Sequence, residues 1–343
     1  MRVRVGRWAL GLSCVAGSAA LLRNTAFVAE AAPVPAGVSD STVPTWLFPS
    51  PPAAASGTAP VVFDSVKPVH LPRVRVAFTE SKLHSLFFAP DWDPSAHPAM
   101  PAVVAYGRQP AVYACAYCHM PDGTGRPENA PLAGLPAAYI VQQVADIKSH
   151  ARSTAWTGAA WVPFVNMLRV AENATDAEVR DAAEYFARLK PRQRTRVVET
   201  RSIPRVDPVT GIYALVRGGG TEALGKRLVE VPLDIERHDH RDPYLGYVAY
   251  VPVGSIARGR ALTMKPMNEF KQVCGSCHGP ALRGAGAIPP LAGLSPGYVV
   301  RQLLAFKTGA RATPASAPMR IVANALSLDD MIAVSSYVAT LKR

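Results

Sequence analysis

Apolar residues recur at helical spacing over residues 138–147 and again over 297–306, and each stretch predicts an amphipathic helix. Two further stretches, 175–189 and 327–341, open on Thr or Ser followed by acids and run into basic residues, the pattern of a capped helix aligned with its dipole. Short helices are expected over 103–108 and 256–262, at the entrance to each group. Between the groups the period changes. Residues 196–203, 211–217, 227–231 and 246–253 are short, rich in Val and Tyr and separated by Gly and Pro, which predicts strands. Upstream, a strand over 73–79 and an apolar turn over 83–90 are expected to pack on the first helical group. The expected fold is mainly α: two tandem helical domains joined by a small β-rich insertion, with an irregular connection wrapped over both domains as the alternative for that insertion.

The two groups are copies of one another. Cys115-Ala-Tyr-Cys118-His119 matches Cys274-Gly-Ser-Cys277-His278 at an offset of 159 residues, which also pairs Pro131-Leu132-Ala133-Gly134 with Pro290-Leu291-Ala292-Gly293. The same offset pairs Tyr139 with Tyr298, Gln143 with Gln302 and Lys148 with Lys307. Beyond that point the offset is 152 and pairs Met167 with Met319, Tyr185 with Tyr337 and Leu189 with Leu341, so the first copy carries seven extra residues in a loop between Lys148 and Met167. The expected organisation is a signal peptide at 1–31, a linker and extension at 32–96, the first domain at 97–192, the insertion at 193–254 and the second domain at 255–343.

Composition refines this picture at the N-terminus. Arg2, Arg4 and Arg7 precede an apolar run of 15 residues, Trp8 to Leu22, with Ala29-Glu30-Ala31 as a cleavage site, which reads as an export signal. Fifteen residues fall short of the ~20 that span a bilayer, although Phe27-Val28-Ala29 adds apolar length and leaves an uncleaved anchor as the alternative. Residues 32–60, rich in Ala, Pro, Ser and Gly, read as an exposed linker.

Cys-x-x-Cys-His is the attachment signature of a c-type haem. Two thiols one helical turn apart reach the two vinyl groups on one porphyrin edge, and the adjacent His lies beneath the iron. Cys115, Cys118, Cys274 and Cys277 are therefore expected to hold two covalent haem c groups, with His119 and His278 as iron ligands. Zinc of the Cys₂His₂ type needs a second nearby His, which neither copy offers, and a disulfide explains neither His. For the opposite side of the iron, Met319 follows Pro318 in a loop, and the repeat aligns Met167 with it; Met120 is too close to His119 to reach that side. Met167 and Met319 are thus the expected sixth ligands, and His/Met ligation raises the potential of a haem. Pro131 and Pro290, each 12 residues after its His, are expected to aim a carbonyl at the second imidazole nitrogen. His238-Asp239-His240 in the insertion could share a face on a strand and suggest a metal, but without a third ligand an ordinary polar turn is the better reading.

The attachment motif, Pro-Leu-Ala-Gly, Tyr, Gln, Met and a last helix with Tyr and Leu resemble class I cytochromes c, and two such halves in an exported chain resemble the cytochrome c4 family of periplasmic di-haem electron carriers. That resemblance implies electron transfer between redox proteins: a donor dehydrogenase or membrane complex and an acceptor oxidase or cytochrome. It also implies that Tyr185 and Tyr337 pack the last helix of each domain against the first. The extension, the insertion and the longer first Met loop depart from the compact pattern. A di-haem peroxidase is the competing expectation, disfavoured because each haem has a Met to fill its distal position and no remaining His repeats with the iron sites. Charge bears on the partner. Residues 255–343 carry 11 Lys or Arg against three acids, whereas 97–192 carry nine against eight. An acidic partner, or anionic lipid at a membrane surface, is expected at the second domain; export removes the protein from nucleic acid. Because thioether formation takes place outside the cytoplasm, expression without residues 1–31 is expected to give colourless protein, checked by haem staining after denaturing electrophoresis; covalent haem in that product would contradict the export reading.

Overall fold

The computed structural model describes residues 43–51, 61–72, 74–156, 161–266 and 273–343, so the expected signal peptide and most of the linker lie outside the described residues. Ahead of the first copy, the hairpin strands β1 (Pro68–His70) and β2 (Ala77–Thr79) pair antiparallel and lead into the helix α1 (Glu80–Leu83). The first copy contains α2 (Ala102–Ala105), α3 (Cys115–His119), α4 (Ala137–Lys148), α5 (Val162–Asn173) and α6 (Asp176–Ala187). Its start signals act as written: Thr175 and Glu178 cap α6 reciprocally, and the Arg108 fork on Glu178 holds that carboxyl down to about 2.

Between the copies run β3 (Thr195–Glu199), β4 (Ser202–Pro204), β5 (Val206–Val209), β6 (Ile212–Leu215), β7 (Thr221–Ala223) and β8 (Val229–Pro232), then α7 (Ile235–Asp239) and β9 (Tyr247–Val251). The run 196–203, expected as one strand, is broken at Thr200 and Arg201, where a Thr200 side-chain turn redirects the chain from β3 into β4. The largest sheet has the order β3-β9-β8, with β3 parallel to β9 and Thr195 opposite Tyr247. His238 lies on α7 and not on a strand, because the Asp234 side chain caps a helical turn there. His238 Nδ1 then meets the Tyr247 hydroxyl at 3.1 Å and His240 Nε2 meets Glu80 at 3.0 Å, so the two imidazoles serve different partners.

The second copy contains α8 (Ser255–Met264), α9 (Cys274–His278), α10 (Pro296–Lys307), α11 (Ala317–Asn324) and α12 (Leu328–Thr340). Met319 and its counterpart Met167 sit on helices, α11 and α5, rather than in the loops expected for them. Proline misled that expectation: Pro163 and Pro318 stand in the first turn of these helices, where the missing N–H costs nothing and the fixed φ favours the helix. No single helix among the described residues is long and apolar enough to cross a membrane.

Each copy has its own core. One cluster includes Val104, Ala116, Ile140, Ala183 and Phe186. The other is built on Val300, Leu304, Met331, Ile332 and Val338, and it also takes in Leu47 and Phe48 from the extension and Trp161 from the lengthened first loop. Phe48 stacks on Trp156 at 5.4 Å and meets Trp161 edge-on at 5.1 Å. The extra loop therefore crosses to the second domain. Tyr337 packs at the α8–α12 crossing, beside Gly259, whose Cβ, if it had one, would lie 2.0 Å from the Ala333 carbonyl oxygen. Tyr185 shares the first copy's core cluster with Val103 and Val104 of α2, and its hydroxyl donates to the Pro121 carbonyl at 2.6 Å. Gly259→Ala gains up to about 1 kcal/mol of helix propensity, but overpacking a closed contact costs about 1–3 kcal/mol. The variant is expected to unfold at lower denaturant than wild type, as followed by circular dichroism of the holoprotein.

Candidate haem sites

Each attachment motif forms one helical turn, Cys115–His119 and Cys274–His278, which brings its two sulfurs to one side and sets the His at the end of the turn. The four cysteines are not joined in disulfides. The next residue leaves the helix at positive φ in both copies, Met120 at 67° and Gly279 at 74°. The chain then folds back, with Gly125 N–H donating to the His119 carbonyl at 3.0 Å and Gly284 N–H to that of His278 at 2.7 Å.

This return loop carries an acceptor to each imidazole. His119 Nδ1 lies 2.8 Å from the Ala130 carbonyl oxygen and His278 Nδ1 lies 2.8 Å from that of Pro289. The acceptors are the residues before Pro131 and Pro290, not the prolines themselves. A proline restricts the residue that precedes it to extended backbone, and this turns the preceding carbonyl toward the ring. Taking up Nδ1 leaves Nε2 for iron. Burial holds both imidazoles below their ordinary pKa, against the opposing pull of the carbonyl, so the ligating neutral form prevails near pH 7.

In the first copy a cavity of about 160 Å³ lies over His119, and Cys115, Cys118, Ile140, Val144, Met167 and Phe186 help to line it. The thiols and His119 thus share one apolar cavity with Met167. In the second copy Cys274 and Met319 pack against the same core cluster. The donor set and the apolar walls fit a covalently attached haem.

The two copies meet through a reciprocal contact that the sequence did not reveal. Ser153 N–H donates to the Ala310 carbonyl at 2.6 Å and Ala312 N–H to that of Ala151 at 3.1 Å, an isolated antiparallel bridge centred on Arg152 and Arg311. Arg152 donates to Gln143 at 2.8 Å and to Gln302 at 3.1 Å; Arg311 donates to Gln302 at 3.1 Å and to Gln143 at 2.6 Å. Gln143 and Gln302 are repeat partners, as are Arg152 and Arg311. The signal was present, since both pairs obey the 159-residue offset, but only contact makes a pair at one offset into a pair at one place. Burial, and then the charge of Arg152, lower the pKa of Arg311. Arg152, Gln302 and Arg301 also line the first cavity, where the two cations would offset the carboxylates of a bound haem.

Two helical copies, each presenting Cys-x-x-Cys-His on one turn with a backbone acceptor behind the His, define a di-haem c-type cytochrome. The chain belongs to the cytochrome c family, whose profile matches residues 104–190 and 256–342. It is cytochrome c4-like, and two haem c groups with their iron are its cofactors. It is 28% identical to cytochrome c4 of Azotobacter vinelandii over 71% of this chain and 90% of the relative. It is likewise 28% identical to a thiosulfate dehydrogenase electron acceptor of Stutzerimonas stutzeri, over 68% of this chain and 81% of the relative. The solved thiosulfate dehydrogenase from Marichromatium purpuratum, in its as-isolated form, matches 68% of this chain at 28% identity with a TM-score of 0.44; the match spans only 38% of that longer chain.

Removing a cation beside a haem disfavours its less positive, reduced form. Arg152→Gln is therefore expected to lower haem potential by on the order of tens of millivolts, read by spectroelectrochemical titration. Unchanged potentials would show that Arg152 serves only the contact between the copies.

Proposed function

We propose that the protein is an exported, periplasmic electron carrier with two His/Met-ligated haems, acting as a shuttle or as the electron-accepting subunit of a redox complex. The observation that carries this reading is the placement of Met167 in the cavity that also holds Cys115, Cys118 and His119. By the repeat, Met319 takes the same role toward His278. Bound haem supplies a one-electron couple, and a thioether ligand opposite the imidazole raises its potential. The chain's own part is to hold each imidazole by a carbonyl, to place a methionine opposite it and to keep the cavity apolar. The mainly helical build of both copies keeps these groups on packed elements, and the β-rich segment between them is read as a small insertion.

A carrier reading is favoured over a peroxidase because an enzyme needs an acid or base beside an open iron position. Among the described residues, none of His70, His84, His97, His150, His238 and His240 lines the first cavity, and the two carboxylates that do are paired, Glu128 with Arg126 and Glu178 with Arg108. The likeness to thiosulfate dehydrogenase electron acceptors supports the choice of a dehydrogenase as donor, and the basic second domain supports an acidic partner.

Met167→His and Met319→His should each keep the haem attached while lowering the potential of the haem in the altered domain. Redox titration with visible spectra reads both effects. If neither change moves the potential or the thioether-to-iron absorption, these methionines are not the ligands.

A further inference from the structure

The internal repeat allows the surroundings of one haem-attachment turn to be compared with those of the other, position by position. Ala116 and Tyr117, inside the first motif, are 0% and 7% exposed. Their counterparts are Gly275 and Ser276: Ser276 is exposed, and among the described residues nothing lies within 4 Å of a Cβ built on Gly275. The return loops differ in the same way. In the first copy Thr124, Glu128 and Asn129 are buried, whereas Arg283, Ala287 and Ile288, at the matching positions, are exposed.

What covers the first site lies largely outside the residues that match the cytochrome c family. Arg241 lays its guanidinium 3.6 Å from the centre of the Tyr117 ring and donates to the Tyr117 and Leu83 carbonyls at 3.1 and 2.9 Å. Trp92 Nε1–H donates to the His240 carbonyl at 2.7 Å, and Ala114 N–H donates to that of Leu86 at 2.9 Å. The extension and the insertion are thus joined to each other over the first motif. Across the return loop, Arg192 pairs with Asp122, Arg194 donates to the Gly125 carbonyl, and Glu128 lies against His238 and Gly211. From the second domain, Arg301 donates to the Pro127 carbonyl.

The exposed turn carries its own chemistry. Ile288 is 38% exposed, and Arg283 Nε donates to the Lys342 carbonyl, which sets two exposed cations side by side. Among the described residues of the second domain the acids are Asp329 and Asp330, paired with Lys226 and Arg258. Arg301 and Arg311 are buried and add nothing to the outer surface. The face around the second attachment turn is therefore apolar at Ile288, cationic at its rim and free of unpaired described carboxylates.

We propose that this face, Ser276 with Arg283, Ile288 and Lys342, is where the protein docks an acidic redox protein, and that the attachment edge of the first haem is closed to protein partners by the extension and the insertion. Electron transfer falls off steeply with distance, so a partner held outside those two segments exchanges slowly with the first haem through that edge. The second haem is then the entrance, and the first is filled through the contact between the copies. This rests on the electron-carrier reading and adds to it the surface and the charge of the partner.

The test uses the full holoprotein and a reduced flavodoxin, an acidic protein-sized reductant, in stopped flow, with dithionite as a small reductant in parallel. Wild type is expected to react with the flavodoxin in a salt-dependent manner. Arg283→Glu with Ile288→Glu should slow that bimolecular step at least about tenfold, equivalent to about 1.4 kcal/mol, slow the small anion dithionite far less, and leave the haem spectra unchanged. Lys82→Glu, on the covering segment over the first haem, should leave the flavodoxin rate unaltered. Equal rates for wild type and the double variant, or equal slowing by Lys82→Glu, would overturn the docking face while leaving the carrier function standing. Failure of wild type to take electrons from either reductant would instead overturn the carrier reading itself.

Discussion

Two guanidinium groups, Arg152 and Arg311, meet between the copies on the side-chain oxygens of two glutamines, Gln143 and Gln302, rather than on carboxylates. Two cations this close repel, and they need oxygen acceptors to offset what burial costs them. Gln143 and Gln302 supply such acceptors, each accepting from both arginines. Arg152 also lines the first cavity, where the carboxylates of a bound haem would offset its charge. Arg152 would then serve both that haem and the joint between the domains. The paired backbone contacts of Ser153 and Ala312 fix the register of this joint.

With the joint in place, α10 faces the first haem cavity through Tyr298, Arg301, Gln302 and Ala305. The second domain thus supplies part of the wall of the first haem's pocket. Arg301 is buried there, held by the Leu47 and Pro127 carbonyls, and burial lowers its pKa although Glu230 and Glu128 oppose that shift. Glu230 in turn accepts from Ser295, Thr195 and the Gly297 N–H, tying the central sheet to the start of α10. Two of the 11 cations counted along the second domain, Arg301 and Arg311, are buried and structural. Only the part that stays outside, at Arg283 and Lys342 among others, can act on a partner.

The duplication gave two equivalent sites, and the added segments made them unequal. Gly134 and Gly293 hold the same left-handed conformation and donate to equivalent carbonyls of the last helix, Phe186 and Val338, at 3.0 and 2.8 Å. Behind the iron ligands the two copies therefore keep one design. The differences lie on the outer side of the attachment turns, where the first copy is packed under Arg241, Leu83 and the central segment. Backbone geometry around a metal ligand tolerates little variation, whereas an outer surface is free to acquire a cover.

Both attachment turns, the helices that follow them, the hydroxyl-and-acid caps of the last helices and the duplication itself were legible in the sequence, because each is dictated by neighbours within a few turns or by direct repetition. The methionine helices were read as loops because a proline marks both an interruption and a helix start, and only the backbone that follows decides which. The carbonyl behind each imidazole was assigned one residue late for a similar reason: proline acts on the peptide before it. The pairing of Gln143 with Arg311, the closure of the first motif by Arg241 and the burial of Arg301 left no local trace, since they join residues more than 100 positions apart. Sequence determined the haem sites, whose chemistry is held within single turns of chain. Tertiary structure decided how the sites differ, because exposure is a property of what packs against a turn and not of the turn itself.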